Sequence, residues 1–183
     1  MNVSDGNAAA GNVVAALRTL LDPAAVLDAA ETATRPAGIW RGDTLQAAAL
    51  VRPRSTEEVA AVLRWCHQNA VTVVPQGGLT GLVHGADAGP DQVILSLERL
   101  RTIEDINPQQ RTATVQAGVV LQTLQEAAEA HQLMFPLDLG ARGSATLGGA
   151  AATNAGGNRV IRYGMMRDMV LGLEVVLADG TVV

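Results

Sequence analysis

Two glycine-rich stretches carry most of the chemistry open to this chain. They are Pro75-Gln-Gly-Gly-Leu-Thr-Gly-Leu82 and Ser144-Ala-Thr-Leu-Gly-Gly-Ala-Ala-Ala-Thr-Asn-Ala-Gly-Gly157. Glycine tolerates positive φ and lets other groups approach the main chain closely, so successive N–H groups can converge on one anion. In the first stretch Gly77, Gly78 and Gly81 supply that freedom and Thr80 Oγ adds one more hydrogen bond. A pyrophosphate fits such a nest. Read alone, the same loop is equally a plain glycine-rich turn. The Rossmann dinucleotide fingerprint is excluded, because no G-x-G occurs anywhere in the chain.

In the second stretch, Leu147-Gly148-Gly149 is expected to open a short helix beginning at Ser144 or Thr146. The free N–H groups of such a helix end favour an anion. Thr153, Asn154, Gly156 and Gly157 then offer hydroxyl, carboxamide and flexible backbone within five residues. Carboxamide and main-chain groups suit the N- and O-bearing edge of a flavin ring, and glycines let a flat ring lie close to the chain. The alternative is a surface loop, although so apolar a segment with so few charges would be unusual at a free surface.

Composition removes several other classes. The 183 residues suffice for one domain with a proper core or two small lobes. At 48% hydrophobic the chain is globular, and with 2% aromatics its core must be packed with Ala, Val and Leu. Few aromatic platforms argue against single-stranded nucleic acid, and a net charge of −5 without a basic run argues against duplexes. All 13 basic residues are Arg, so neither Schiff-base chemistry nor a P-loop lysine is available.

The single cysteine, Cys66, excludes an internal disulfide and reads as a small apolar residue inside a helix. His67 and His131 fall near helix ends as caps or solvated groups. His84 follows the first glycine loop, and no second histidine lies at ligand spacing, so no metal site is expected. Arg159, Arg162 and Arg167 follow the second loop and are read as surface residues. No run approaches the roughly eighteen apolar residues of a membrane span. Asp5 and Arg18 make a poor signal peptide, which points to a cytoplasmic setting.

The elements that must position these loops follow from pattern. Residues 1–11 read as a frayed lead-in and 12–21 as a helix with Val13, Leu17 and Leu20 on one face. Asp22-Pro23 can open a second helix, and 32–46 is irregular. Ser55-Thr-Glu-Glu58 is a capping box for a helix to about Asn69, burying Val59, Val62, Leu63 and Cys66. Val71–Val74 has strand composition ending at Pro75, so the first glycine loop directly follows a strand. A second strand covers 92–96, and 101–106 with 111–117 form a hairpin about Asn107-Pro-Gln-Gln110. Residues 121–131 are an amphipathic helix with Leu121, Leu124 and Ala128 inward. Ala178-Asp-Gly180 turns a last hairpin between 173–177 and 181–183. Two α+β lobes are the simplest architecture.

With these residues in view, the chain resembles flavoproteins of the vanillyl-alcohol-oxidase (PCMH) type. It looks most like the FAD-binding half of a D-2-hydroxyglutarate dehydrogenase. The resemblance rests on Arg52-Pro-Arg-Ser-Thr-Glu-Glu-Val59, Pro75–Leu82, Pro136-Leu-Asp-Leu-Gly-Ala-Arg-Gly-Ser144, Leu147–Gly149, Thr153–Gly157, Tyr163-Gly164 and Val170-Leu-Gly-Leu-Glu-Val-Val-Leu-Ala-Asp-Gly180. Leu137–Gly143 is the discriminating part, since glycolate-oxidase and D-lactate-dehydrogenase relatives tend to differ there.

The resemblance implies an α+β, two-lobed FAD-binding domain over 48–183, incomplete at its C-terminus and lacking a substrate domain. Residues 1–47 form an N-terminal extension with short helices. It implies that Gly77, Gly78, Thr80 and Gly81 meet the pyrophosphate and that Pro75 and Leu79 are cofactor-binding as well. Pro136, Asp138, Ser144, Gly148, Gly149, Thr153, Asn154, Gly156 and Gly157 meet the rest of the cofactor. Several relatives bind flavin covalently through a histidine just after the paired glycines; Leu79 stands there, which implies dissociable FAD.

The implied reaction belongs to FAD-dependent oxidoreductases acting on CH–OH donors: a D-2-hydroxy acid becomes a 2-oxo acid and the flavin passes electrons to an acceptor. No residue present is assigned a catalytic role, so the chain alone is expected to be inactive. A glycolate- or D-lactate-type oxidase and a non-catalytic flavin-binding remnant remain the alternatives. An interrupted last sheet would leave an open edge that invites association, a homodimer being one form.

Overall fold

The computed structural model describes the backbone of residues 3–183 and the side chains from residue 12 onward. It divides into two compact units, one of residues up to Arg99 together with Glu174–Val183, the other Leu100–Leu173.

The first unit is built on a four-stranded sheet. Strand β1 (Val26–Asp28) runs antiparallel to β2 (Ala49–Val51). Strands β3 (Val73–Gln76) and β4 (Val93–Ser96) are parallel, β4 lies between β2 and β3, and the order is β1-β2-β4-β3. Ala49, Leu50, Val51, Val93, Ile94 and Leu95 are all buried, the continuous apolar run that parallel strands covered on both faces require.

Helix α1 spans Val3–Leu20, so the expected lead-in is helical from residue 3; residues 1–2 lie outside the described residues. From residue 12 onward its buried residues are Val14 and Leu17, continued by Leu21 just past its end, rather than Val13, Leu17 and Leu20. The i, i+3, i+7 spacing keeps Leu17 at the centre but rotates the face by one residue.

Asp22-Pro23 starts only a 3-10 turn (Pro23–Ala25), with Asp22 Oδ1 accepting the Ala24 amide at 3.0 Å. A longer helix is pre-empted because Val26–Asp28 pairs with β2. Asp28 then caps a single turn, α2 (Ala29–Thr32), through a reciprocal bond with Glu31.

Helix α3 (Thr56–Gln68) begins at Ser55, whose Oγ accepts the Glu58 amide at 3.2 Å. The capping box is not closed on Ser55: Glu58 accepts from the Arg54 amide at 2.9 Å instead. Val59, Ala60, Val62 and Cys66 are buried, while Leu63 is half-buried.

Strand β3 continues through Pro75 to Gln76 rather than stopping at the proline. It is an edge strand, where a residue without an N–H costs no ladder bond. The last hairpin turns at Gly180 (φ +82°) with one bridge, Val176 to Val182, and Val175 and Val183 exchange both backbone bonds. It is not extended into regular strands. Gly180 lies against α3, where a Cβ would stand 2.5 Å from the Ala60 carbonyl oxygen, and Arg64 Nη2 donates to the Gly180 carbonyl at 3.0 Å.

The second unit has a hairpin, β5 (Ile103–Asn107) against β6 (Thr112–Val115), turned by Asn107 Oδ1 accepting the Gln110 amide. Helix α4 (Leu121–Ala130) buries Leu121, Leu124 and Ala128 as its periodicity predicts. Short helices α5 (Leu147–Ala152) and α6 (Val160–Tyr163) follow, then a 3-10 turn at Met166–Met169. Val119, Leu121, Leu124, Leu137, Leu147, Ala150 and Met166 form its core.

Candidate functional site

In the first unit the glycine loop leaves β3 after Gln76. Gly77, Gly78, Leu79 and Thr80 are half-buried, yet among the described residues none of their amides donates to a protein acceptor. A run of main-chain N–H groups that the chain itself leaves unpaired can donate together to an external acceptor, whether water or an anion. The chemistry suits an anionic oxygen: consecutive donors, a Thr80 hydroxyl without a protein partner among the described residues and no acidic side chain between residues 77 and 83.

The positive φ expected at the glycines is found instead at Leu79 (φ 53°); Gly77, Gly78 and Gly81 are not among the positive-φ residues. The loop is therefore bent by a strained leucine, and its glycines contribute room. A Cβ at Gly81 would meet nothing within 4 Å. Leu79 carries no nucleophilic atom, so it cannot form a covalent flavin link, in keeping with dissociable FAD. Its carbonyl accepts the Ile39 amide at 3.4 Å.

Beside the loop, Arg41 bonds Asp43 and Asp87, and His84 Nδ1 lies 2.9 Å from Asp87 Oδ2 and 3.0 Å from Arg41 Nη1. The guanidinium bonded to them holds both carboxyls below their ordinary range, and Arg41 is raised in turn. His84 is thus tied to an ion cluster that sequence spacing did not reveal. Ile39, Trp40, Leu82 and Val83 leave an exposed apolar rim.

The second unit places Pro136–Ser144 and Thr146–Gly157 in one folded loop system. Thr146, not Ser144, is the N-cap of α5, its Oγ1 accepting the Gly149 amide at 3.3 Å. The free helix end anticipated from sequence is absent. The Leu147 amide donates to Val119 O at 2.9 Å and the Gly148 amide to Ala117 O at 2.8 Å. Gly148 is glycine for a steric reason, since a Cβ would come 2.7 Å from Ala117 Cβ.

Thr153 and Asn154 are likewise engaged within the chain. Thr153 Oγ1 donates to Gly149 O at 2.9 Å, and Asn154 Oδ1 accepts the Arg167 amide at 3.0 Å. Asn154 is left-handed (φ 47°), a conformation its short carboxamide tolerates. Asp138 sits between Arg142 (3.9 Å) and Arg159 (3.7 Å), and its carbonyl accepts the Asn158 amide at 3.0 Å. The half-buried Gly156 has an amide without a protein acceptor among the described residues, and the half-buried Ser144 has a free hydroxyl. Those two, with the exposed Gly157 amide, are groups of the predicted set that remain open to an external partner among the described residues.

Of the two helix starts expected from sequence, Ser144 and Thr146, the structure selects Thr146. Missed from sequence was the role of Gln76, which no local signal marks. Among the described residues no cluster of His, Cys, Asp or Glu could hold a metal ion, and no helix is long and apolar enough to cross a membrane.

Comparison with known proteins agrees with this chemistry. The FAD-binding domain family matches residues 47–183. The chain is 50% identical over 133 residues to a mitochondrial D-2-hydroxyglutarate dehydrogenase of Bos taurus, covering 73% of this chain and 24% of that protein. It is 52% identical over 132 residues to the D-2-hydroxyglutarate dehydrogenase of Xanthomonas citri, covering 72% and 28%. It is also 41% identical over 143 residues to a putative mitochondrial D-lactate dehydrogenase of Schizosaccharomyces pombe, covering 78% and 27%.

The chain thus spans about a quarter of the length of these relatives. An alkyldihydroxyacetonephosphate synthase structure shares the fold, with TM-score 0.80 at 22% identity over 92% of this chain and 36% of that one. The α+β fold of the vanillyl-alcohol-oxidase (PCMH) type is therefore as expected. With a loop of unpaired amides in the first unit and the family match running through both, this chain belongs to the FAD-binding domain family.

Proposed function

We propose that this chain is the FAD-binding part of a flavin-dependent dehydrogenase that oxidises D-2-hydroxy acids of the 2-hydroxyglutarate kind to 2-oxo acids. The carrying observation is the half-buried run of amides from Gly77 to Thr80 without protein acceptors. In this reading Gly77, Gly78, Thr80 and Gly81 hold the pyrophosphate, with Pro75 and Leu79 setting the course of the loop. In the other unit Ser144, Gly156 and Gly157 offer hydroxyl and amide donors. Pro136, Asp138, Gly148, Gly149, Thr153 and Asn154 keep that loop in shape from within. When bound, FAD supplies the acceptor for the hydride that leaves the hydroxyl-bearing carbon.

The substrate class is supported by the names of the Bos taurus and Xanthomonas citri relatives. A D-lactate-type activity is the second reading, favoured by the Schizosaccharomyces pombe relative. An acceptor for the electrons, a cytoplasmic setting and self-association through the exposed Val175, Leu177, Val182 and Val183 belong to the same proposal.

The test is a visible spectrum of the purified chain after incubation with FAD and desalting. Retained flavin absorbance, lost on Gly78→Leu, supports the cofactor assignment; a folded, colourless protein sinks it. Joining the chain to the remaining length of the Xanthomonas citri relative then allows D-2-hydroxyglutarate and D-lactate to be compared by anaerobic flavin bleaching. Faster bleaching by D-lactate favours the second reading.

A further inference from the structure

Gln76 ends β3 and is 3% exposed, one of few buried polar residues in the first unit. Its Nε2 donates to the Ala86 carbonyl at 2.8 Å, ten residues further on. Its own carbonyl accepts the Leu97 amide at 3.0 Å, so the donor side chain is anchored to the sheet. A carboxamide fixed at the sheet and bonded to Ala86 closes the mouth of the segment that carries the unpaired amides of Gly77–Thr80. Residues 81–85 are exposed, and among the described residues the other ties of the segment to the rest of the unit are the Leu79 carbonyl with the Ile39 amide and the ion cluster of Arg41, Asp43, His84 and Asp87.

We infer that Gln76 is a positioning residue that clamps the glycine loop at Ala86 and keeps its amides arranged for the phosphates of the cofactor, so that it favours FAD over a flavin without phosphate. This rests on the loop being the pyrophosphate site. Donors already fixed lose less freedom when an anion arrives, and a buried hydrogen bond is a stiff way to fix them. Gln76 never touches the ligand in this arrangement; its effect passes through the loop.

The experiment compares the wild-type chain with Gln76→Met, which keeps length and volume but removes the donor. FAD and riboflavin dissociation constants are measured by fluorescence, together with the unfolding midpoint. Backbone ¹⁵N relaxation of residues 77–86 is recorded without ligand. The expected result is an ordered wild-type loop that loosens in the variant while β3 and β4 stay rigid. FAD binding should fall roughly tenfold, the equivalent of one hydrogen bond, with riboflavin binding unchanged.

Equal weakening of both flavins, or an unaltered loop in the variant, would overturn the inference. If Gln76→Met does not fold, the wild type decides: a loop as mobile there as a free terminus leaves no clamp. A wild-type chain that retains no FAD removes the cofactor reading and the affinity half of the inference. The relaxation data still decide whether Gln76 holds the loop.

Discussion

Gly157 lies against the main chain of Asp138 so closely that a Cβ there would stand 2.1 Å from the Asp138 carbonyl oxygen. That oxygen accepts the amide of Asn158 at 3.0 Å, so the contact is the seam between Pro136–Ser144 and the end of the second glycine stretch. Gly148 stands in the same relation to Ala117. Gly157→Ala and Gly148→Ala should therefore each destabilise the chain by roughly 1–3 kcal/mol, as overpacking does. Gly81→Ala and Gly140→Ala, whose Cβ atoms would meet nothing within 4 Å, should stay within about 0.5 kcal/mol of wild type. Urea midpoints separate the two groups, and an undisturbed Gly157→Ala would contradict the seam.

Leu79 is the left-handed residue of the first loop, in a conformation that costs a leucine roughly 1–2 kcal/mol. Asparagine tolerates it better and avoids the entropic penalty of glycine. Leu79→Asn should therefore raise stability by up to about 1 kcal/mol, the half-buried leucine giving up only part of its apolar contact. A lowered denaturant midpoint would show that the leucine's packing outweighs its strain.

Burial pushes the Cys66 thiol up to about 11. It is 1% exposed on the inner face of α3, so an aqueous disulfide reagent at pH 8 should fail to label it until the chain unfolds. Its folded pKa lies above the reference 9.0, so the proton is held more tightly in the folded state. The associated stability is complete below pH 9 and should drain away as pH rises toward about 11. Cys66→Ala should flatten that alkaline slope. Stoichiometric labelling of the folded chain at pH 8 would refute the burial argument.

Glu98 meets two arginines, bonding Arg35 through both oxygens and lying 3.6 Å from Arg52. Burial disfavours its carboxylate, but the bonded Arg35 and nearby Arg52 outweigh that and hold it below the usual glutamate value. The folded pKa is depressed, so the pair's stabilisation is present above about pH 4.5 and is lost as pH falls below it. Glu98→Gln should cost about 1 kcal/mol at neutral pH, since both side chains still touch solvent. It should also make acid unfolding less steep below about pH 4.5. Superimposable acid curves for variant and wild type would remove Glu98 from the account.

Much of the fold was legible because its signals are short-range. Ser55 capping α3, the stripe Leu121, Leu124 and Ala128, the turn at Asn107 and the helix opening near Thr146 all depend on neighbours within about one turn of the chain. The two loops stand out as candidate sites for the same reason: glycine and hydroxyl residues at close spacing. Their internal accounting was not. The α5 amides expected to face a ligand are engaged by Ala117 and Val119, and the Asn154 carboxamide by Arg167.

By itself, then, the sequence determined where α3 and α4 start, which face α4 buries, the type of fold and the presence of two glycine-rich loops. Tertiary structure alone decided that Val26–Asp28 is a strand, that β3 runs through Pro75, and that Gln76 reaches Ala86. It also decided that Gly148 and Gly157 are glycine to admit Ala117 and Asp138. Each of these turns on a partner distant in sequence, a carbonyl or strand edge whose position no local pattern encodes. A polar group's role is set by whichever partner the folded chain brings to it.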